Sequence, residues 1–287
     1  MVITRIFGGL GNQMFQYACG RALALRNGSE LVLDERDFFA GPGQEPGLRH
    51  LNIVSGDVPA EKLPPSKKQR LRYLVWRTLR LPPRIVREQG MAFDPRIIAL
   101  TGDVFLHGYW QSEHYFSDFA QTLRHELSVK TSPDDVNAAL LRQIGAEPAV
   151  SLHIRRGDYV TNPKANALHG TCSSAYYNRA ADLIAERMDE KPVFYVFSDE
   201  PQWVAANLDL PFDIRIVEHN GGDRNYEDMR LMSACRHHIV ANSSFSWWGA
   251  WLNPSESKIV VAPEKWFAGP DRFNPDIIPE GWLTAEN

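Results

Sequence analysis

Short apolar runs alternate regularly with helical segments through the second half of the chain. Five such runs occur, at residues 149–154, 193–197, 213–217, 238–241 and 258–262. Helices are predicted between them, at residues 173–189, 200–207, 224–235 and 244–252. Strands that are joined through a helix pair in parallel, because the helix returns the chain to the starting edge of the sheet. The alternation therefore predicts an α/β fold with a doubly wound parallel sheet.

The first half of the chain opens in the same way. An apolar run at residues 2–7 leads into a glycine loop, and a helical pattern of apolar residues continues as far as Leu25. Asn27 and Gly28 provide a helix stop, and residues 31–34 have the pattern of the next strand. A second parallel sheet is expected here. The N-terminal run is typical of a first strand rather than a signal peptide, since it has no charged leader.

A break in the pattern divides the chain into two parts. The segment Thr131-Ser132-Pro133 is typical of a helix start, and Gly145 to Pro148 interrupts the helix that follows. A chain of 287 residues is long enough for two domains of ordinary size. We therefore predict an N-terminal domain at residues 1–130 and a C-terminal domain at residues 131–287.

Composition excludes several classes of protein. Apolar residues make up 44% of the chain and charged residues 23%, a balance typical of folded soluble proteins. No stretch approaches the roughly 20 apolar residues that cross a bilayer. The three cysteines form no C-x-x-C pair, which argues against a disulfide framework or a zinc site and favours the cytoplasm. The formal net charge of −4 argues against a general nucleic-acid binder.

One basic segment departs from the acidic average. Between Glu61 and Arg87 there are nine lysines or arginines and one acid. An amphipathic helix is predicted at residues 66–80, with an apolar face formed by Leu71, Leu74, Val75 and Leu79. One interpretation is a solvated basic face whose apolar stripe packs on the first domain, and it is favoured because charge runs usually face water. The other is peripheral contact with the anionic inner membrane surface.

Polar residues follow the predicted strands at their carboxyl ends, where ligands of open α/β sheets bind. The residues concerned are Gly9, Gly11, Asn12 and Gln13 after the first strand, Arg155, Arg156 and Asp158 after 149–154, Ser198 and Asp199 after 193–197, and Asn242, Ser243, Ser244 and Ser246 after 238–241. His153 lies inside its strand. Main-chain amides, hydroxyls and guanidinium groups are donors suited to phosphate and ribose. The sequence therefore predicts a nucleotide site.

The glycine loop allows three interpretations. Gly9 and Gly11, with Asp34 at the end of the next strand, partly match a dinucleotide-binding fingerprint and would suit an oxidoreductase. Met14 occupies the position of the third glycine, which argues against that match. A tight turn that binds nothing is the second interpretation, and a phosphate loop for another nucleotide is the third.

The adjacent arginines carry more information. An arginine fork donates two parallel hydrogen bonds to a diphosphate and keeps its charge at any physiological pH. Asp158 stands two residues after Arg156 and could hold one guanidinium in place. The alternative is a surface salt bridge at a domain edge, which would contribute little.

Several catalytic motifs are missing from the sequence. It contains no Asp-x-Asp clamp for a divalent metal, no His-x-x-x-His pair, no Walker loop and no Gly-x-Ser-x-Gly elbow. An enzyme that expels a diphosphate without a metal must neutralise the leaving group with arginines, hydroxyls and helix N-termini. The sequence supplies all three, so we predict no metal site and no cofactor.

Four stretches together resemble the α-1,2-fucosyltransferases of glycosyltransferase family 11. They are Gly8–Ala18, His153–Val160, Phe197–Asp199 and Ala241–Leu252. The second also looks like the signature of the α-1,6- and protein O-fucosyltransferases. The resemblance implies a GT-B-like fold of two Rossmann-like domains facing a central cleft, with the donor held mainly by the C-terminal domain. It also implies an inverting transfer from GDP-β-L-fucose to the 2-hydroxyl of a galactose-terminated acceptor. Acceptors of bacterial transferases are often lipid-linked, and the missing metal clamp predicts a metal-independent reaction.

The resemblance also implies roles for individual residues. Arg155 would bind the diphosphate, and Arg156 would support Arg155. His153 and Asp158 would order the loop that carries the two arginines, and together with Arg155 they form the predicted catalytic set. Three further groups would bind the donor. Gly9, Gly11, Asn12 and Gln13 would close over the phosphates, and Ser198 and Asp199 would face guanine or ribose. Asn242, Ser243, Ser244 and Ser246 would lie near the phosphates at a helix N-terminus. Trp247 and Trp248 are interpreted as core residues rather than a sugar platform, because each buries a large apolar area.

The general base stays open at this point. Asp158 is the nearest candidate, Asp37 and His169 are more distant ones, and a phosphate-assisted route is an alternative. Because no base is evident, a nucleotide-sugar or glycan-binding protein without catalysis also remains an alternative to the enzyme.

Overall fold

The computed structural model describes residues 1–36, 45–57, 63–65, 70–79, 83–269 and 272–287, apart from the side chain of Arg77. The chain divides into two compact units, Met1–Leu127 and Ser128–Asn287. The sequence-predicted boundary after residue 130 lies in the same connecting segment.

The first unit is a parallel α/β structure. Its strands are β1 (Val2–Arg5), β2 (Leu31–Asp34), β3 (Arg84–Arg87) and β4 (Val104–His107). Its helices are α1 (Leu10–Arg26), α2 (Arg70–Thr78), α3 (Pro95–Ile98) and α4 (Ala120–Glu126), with 3-10 turns at Gly47–His50, Glu113–Tyr115 and Ser117–Phe119. The four strands pair in parallel in the order β2-β1-β4-β3.

Helix α1 packs closely on β1 through a glycine. Gly20 faces Thr4, and a Cβ at this position would overlap Thr4 Oγ1 and lie 3.0 Å from a methyl of Leu31. A dinucleotide fingerprint would place a glycine for this contact at position 14, where Met14 is instead fully buried in the core. The close approach of helix and strand therefore occurs about 1.7 turns further along the helix.

The second unit contains a larger parallel sheet. Its strands are β5 (Ala149–Ile154), β6 (Val193–Ser198), β7 (Asp213–Val217), β8 (His237–Ile239), β9 (Val260–Pro263) and β10 (Leu283–Ala285). Its helices are α5 (Asp135–Ala146), α6 (Gly157–Thr161), α7 (Pro163–His169), α8 (Ser174–Ala185), α9 (Pro201–Asn207), α10 (Asn225–Ala234) and α11 (Ser244–Leu252), with a 3-10 turn at Gly222–Arg224. All pairings are parallel, in the order β10-β9-β8-β5-β6-β7.

This strand order confirms the doubly wound sheet predicted from the sequence. The chain starts in the middle at β5, adds β6 and β7 on one side, and then crosses to add β8, β9 and β10 on the other. The order therefore reverses between β5 and β8. In open parallel sheets the crevice at such a reversal, beyond the carboxyl ends of the strands, is where ligands bind.

The structure adds elements that the sequence pattern did not show. In the second unit these are β10 and the short helices α6 and α7, and in the first unit β3, β4, α3 and α4. Strand β10 has three residues and α6 has five, so neither is long enough to display a hydrophobic period. Strand β3 has an exposed or half-buried pattern because it lies at the sheet edge.

Helix α11 is buried on nearly all sides. Trp247 and Trp248 are fully buried and pack with Trp251, and Trp247 Nε1 donates to the carbonyl of Ile277 at 2.6 Å. These tryptophans are core residues, as predicted. Gly249 lets the helix approach α10, since a Cβ there would lie 3.0 Å from Met232 Cβ.

Helix α2 differs from the favoured sequence interpretation. Its apolar stripe does not pack on the first unit, because the side chains of Leu71, Leu74, Val75 and Leu79 are all exposed. Trp76, on the opposite side, is the buried residue. The predicted helix at 66–80 also includes residues 66–69 and 80, which lie outside the described residues. Among the described residues, no helix combines the length and the hydropathy that a bilayer crossing requires.

The contact between Gly20 and Thr4 predicts a stability effect. In Gly20→Ala the new methyl overlaps a buried side chain, so we expect the free energy of unfolding to fall by about 1–2 kcal/mol, overpacking outweighing the better helix propensity of alanine. Gly145→Ala in α5 is the control, because a Cβ there meets nothing within 4 Å. Urea denaturation of both variants measures the difference, and equal stabilities would contradict the packing argument.

Candidate functional site

The predicted site residues of the second unit gather at the carboxyl ends of β5, β6 and β8. Arg155 and Arg156 directly follow β5, Asp199 directly follows β6, and Asn242 lies between β8 and α11. Strands β6 and β8 flank β5 on either side. The arginines therefore stand at the reversal of strand order, with polar groups from both neighbouring strands beside them.

Arg155 lies between two carboxylates. Its Nη2 donates to Asp158 Oδ1 at 2.5 Å, and its Nη1 forms an ion pair with Asp199 Oδ2 at 2.8 Å. The guanidinium carbon also lies 5.5 Å from the centre of the Tyr159 ring. The side chain remains 34% exposed, so a fixed and permanently charged donor group is accessible from solvent.

Arg156 is held more tightly than Arg155. Its Nε donates to Glu200 Oε2 at 3.0 Å, and its guanidinium carbon lies 3.7 Å from the centre of the Trp203 ring. Its main-chain N–H donates to Asp199 Oδ1 at 2.9 Å. The side chain is therefore engaged by the start of α9 and suits a supporting role better than a direct contact with a ligand.

Asp199 joins the two arginines. One carboxylate oxygen accepts from the Arg156 main chain, and the other forms an ion pair with the Arg155 side chain. A Cβ on Gly157 would overlap this carboxylate, so only glycine allows the close approach. The resemblance assigned Asp199 to guanine or ribose, but the structure turns both oxygens toward the arginines. Ser198 lies beside it and accepts from the main chain of Glu200 at 3.0 Å.

His153 lies beneath the arginines in the buried strand β5. Burial, and secondarily the positive charge of Arg155, lower its pKa to about 3. Its ring lies 5.6 Å from that of Phe245, and Nδ1 is buried with no hydrogen-bond partner among the described residues. A neutral, enclosed imidazole of this kind fits the ordering role rather than proton transfer at neutral pH.

An aromatic stack adjoins Arg155. The Tyr159 and His169 rings are parallel with centres 4.5 Å apart, and Phe267 follows at 5.7 Å from His169. Burial raises the pKa of Tyr159 to about 12 and lowers the pKa of His169. Tyr159 therefore stays protonated and His169 stays neutral at physiological pH.

The segment between β8 and α11 is organised by its own side chains. Asn242 Nδ2 donates to the carbonyl of His169 at 2.8 Å, and Ser243 caps α11 by accepting from the Phe245 main chain at 3.3 Å. Ser246 is buried and bonds to the main chain of Ala241. These three predicted ligands thus have internal partners. Ser244, half-buried at the first position of α11, is the more accessible hydroxyl.

The glycine loop of the first unit is also well connected. Gly8 adopts a left-handed backbone with φ of 80°, and Gln13 Nε2 donates to its carbonyl at 2.8 Å. Asn12 Oδ1 accepts from Gln111 Nε2 at 2.8 Å. Gly11 is buried in the first turn of α1, whereas Gly9 is exposed and a Cβ there would meet nothing within 4 Å. Of this predicted set, Gly9 presents its main chain to solvent.

The structure also shows which residues the sequence reasoning missed. The clamp on Arg156 by Glu200 and Trp203 was not predicted, although both lie near the strand-end Asp199. The steric role of Gly157 and the ring of Phe267 were missed as well. Asp37, a candidate base, lies outside the described residues. Within the part of the chain that the structure describes, no group of three or more His, Cys, Asp or Glu side chains is arranged to hold a metal ion.

The buried His153 makes stability depend on pH. Its folded pKa of about 3 lies below the unfolded value of 6.5, so the unfolded chain binds a proton first and stability falls as pH drops below about 6.5. His153→Gln removes this loss. Between pH 6.5 and pH 5 we expect the wild-type chain to lose about 1–2 kcal/mol more than the variant. Urea denaturation across this range tests it, and parallel stability curves would contradict the assignment.

Two relatives align with most or all of the chain. An α-1,2-colitosyltransferase from Escherichia coli is 35% identical over 304 aligned residues, covering 100% of this chain and 99% of the relative. A galactoside α-(1,2)-fucosyltransferase 1 from Saimiri boliviensis boliviensis is 28% identical, covering 85% of this chain and 63% of the relative.

The fold also has a solved counterpart. A mutant of FUT1 from Arabidopsis thaliana in complex with GDP aligns with 92% of this chain and 71% of its own, with a TM-score of 0.50 at 13% identity. The two parallel α/β units are those of the GT-B glycosyltransferases. Residues 90–286 match the family model described as glycosyl transferase family 11. The chain therefore belongs to glycosyltransferase family 11.

Proposed function

We propose that this chain transfers L-fucose from GDP-β-L-fucose to the 2-hydroxyl of a galactose-type acceptor, with inversion and without a metal ion. The observation that carries the proposal is the accessible guanidinium of Arg155 at the reversal of strand order, oriented by Asp158 and Asp199. The family membership and the relative named galactoside α-(1,2)-fucosyltransferase 1 support the choice of sugar and acceptor.

The chemistry requires one in-line displacement. The bond between the fucose anomeric carbon and the β-phosphate oxygen breaks, GDP leaves with the electron pair, and the acceptor oxygen forms the new α bond. Negative charge builds on the departing phosphate, so a donor fixed before the reaction lowers the barrier more than one that must be ordered. Arg155 is such a donor, and Arg156 and Asp199 keep its loop in place.

In this proposal, positively charged groups of the protein take the place of a metal ion at the diphosphate. The positive charge of Arg155 and the N-terminus of α11, which begins just after Ser243, would offset the charge of the diphosphate. The proton of the acceptor hydroxyl goes to a general base, for which Asp158 and His169 remain the predicted candidates. Asp158 is engaged by Arg155, and the half-buried His169 stacks on Tyr159. Activity that persists in EDTA tests the metal-free route.

The similarity to a relative named colitosyltransferase makes a nucleotide-linked colitose a second candidate donor. Colitose is L-fucose without its 3-hydroxyl, and that relative is similar to the whole chain. A site that hydrogen-bonds the 3-hydroxyl would reject the deoxy sugar, whereas a site without such a bond would accept both. Measuring kcat/KM with GDP-fucose and GDP-colitose on one galactoside, with the linkage identified, decides between the donors.

A binding protein without catalysis is separated from the enzyme by product formation. GDP release from GDP-fucose that rises when a galactoside is added supports transfer. Tight binding of GDP-fucose with no GDP release, with or without acceptor, would contradict the proposed activity. Membership of the glycosyltransferase family excludes a dinucleotide-dependent oxidoreductase, an interpretation that was based on the glycine loop alone.

We also propose that the acceptor is lipid-linked and that the protein works in the cytoplasm.

Removing Arg155 tests the central assignment. In Arg155→Ala we expect kcat to fall by about 10²–10³, the scale for loss of one fixed donor to a developing negative charge. The matched control is Arg179→Ala, which removes an exposed arginine of α8 whose partner among the described residues is Glu286. Transfer by Arg155→Ala within a few-fold of wild type would overturn the role.

Gly157→Ala tests whether Asp199 positions Arg155. The added methyl overlaps the Asp199 carboxylate and must displace the group that holds both arginines. We expect kcat/KM to fall by roughly 10–100-fold, since small misplacements of reacting groups are costly. Gly157 is half-buried, so the unfolding midpoint is measured as well, and the kinetics are compared at a temperature where both variants are folded. Gly145→Ala again serves as the control, and unchanged kinetics in Gly157→Ala would contradict the positioning role.

A further inference from the structure

Helix α2 carries an exposed apolar surface. Four of the nine large apolar side chains that are exposed among the described residues belong to residues 71–79. They are Leu71, Leu74, Val75 and Leu79, with exposed fractions of 75%, 56%, 47% and 63%. Single exposed apolar residues are common on protein surfaces, but a contiguous group marks a contact with another surface.

The four residues form one stripe along the helix. With 3.6 residues per turn, successive side chains are about 100° apart, so these positions fall within one third or so of the helix circumference. Tyr73 and Trp76 lie on the opposite side, where Trp76 is buried and the two rings are 5.7 Å apart. The aromatic side of the helix is thus its buried side, and the leucine-rich side faces solvent.

Basic residues border the stripe. Arg70 and Arg72 are exposed, and at about 100° per residue they fall on either side of the apolar positions. Residues 70–79 include three arginines and no acid, and the exposed Arg84 and Arg87 of β3 follow in the chain. The sequence around the helix adds further lysines, whereas the chain as a whole carries a net charge of −4.

We propose that the outer face of α2 docks on an anionic lipid surface. The leucines and Val75 would enter the boundary between headgroups and acyl chains, while Arg70 and Arg72 would contact the lipid phosphates. An apolar stripe flanked by arginines is the arrangement that interfacial helices use, and attraction to anionic lipids adds to burial of the apolar side chains. This inference does not depend on the identity of the donor or the acceptor.

Charge selects this occupant over a second copy of the chain. Two copies of α2 brought face to face would place their arginines together, with no acid in the helix to neutralise them. A lipid surface that carries phosphates satisfies the arginines and the apolar stripe at once. The two occupants also respond differently to protein concentration and to lipid, which the experiment uses.

Co-sedimentation of the full chain with vesicles tests the proposal. Binding to vesicles of phosphatidylcholine is compared with binding to vesicles that also contain anionic phosphatidylglycerol. Each is measured at about 10 mM salt, where the Debye screening length is about 30 Å, and at about 1 M salt, where it is about 3 Å. We expect binding to the anionic vesicles that weakens strongly with salt. Leu71→Gln with Leu74→Gln should weaken it at least tenfold, and Arg70→Gln with Arg72→Gln should remove most of its salt dependence.

Val136→Gln is the matched control, because Val136 of α5 is also exposed, at 57%, but stands outside the stripe. It should bind as the wild type does. Transfer to a water-soluble galactoside should be unchanged in the leucine double variant, which separates membrane docking from the proposed activity. Equal binding by wild type and leucine variant, or no preference for anionic vesicles, would overturn the proposal. So would a dimer in sedimentation velocity that the leucine substitutions dissociate.

Discussion

The ion pairs around Arg155 are the interaction on which the candidate site depends. An arginine at the end of a strand is a long and mobile side chain, and ordering it costs conformational entropy. Asp158 and Asp199 bind it from two directions, so that cost is met on folding rather than on ligand binding. Asp199 can do so only because β5 and β6 are adjacent in the sheet. The order of the strands therefore determines where the Arg155 guanidinium is held.

Glycines decide how closely the parts of this fold approach one another. Gly20 brings α1 onto β1, Gly249 brings α11 onto α10, and Gly157 leaves room for the Asp199 carboxylate. None of the three needs a left-handed backbone, so each is a matter of space rather than of turn conformation. The loop glycine Gly8 is different, since its positive φ lets the chain leave β1 and enter α1 within a few residues.

The sequence predicted the doubly wound sheet and the location of the arginines correctly because both depend on local patterns. Buried strands read as apolar runs, and the residues that follow them must lie at one edge of a parallel sheet. Partners distant in sequence were harder to predict: Trp203 stacks on Arg156 across 47 positions, and nothing in its own helix marks that contact. The exposure of Leu71 was missed for a related reason, since periodicity shows that a helix has an apolar face but not what covers it.

The two carboxylates that hold Arg155 are not equivalent toward an incoming anion. The Asp199 side chain is less exposed, at 24%, and also accepts from the Arg156 main chain, so displacing it would break two contacts rather than one. Asp158 is 55% exposed and lies in the short helix α6, where water can replace its contact at low cost. A guanidinium has five N–H donors, and the two ion pairs leave some of them available. A diphosphate at Arg155 would therefore compete with Asp158 while Asp199 keeps the guanidinium in place.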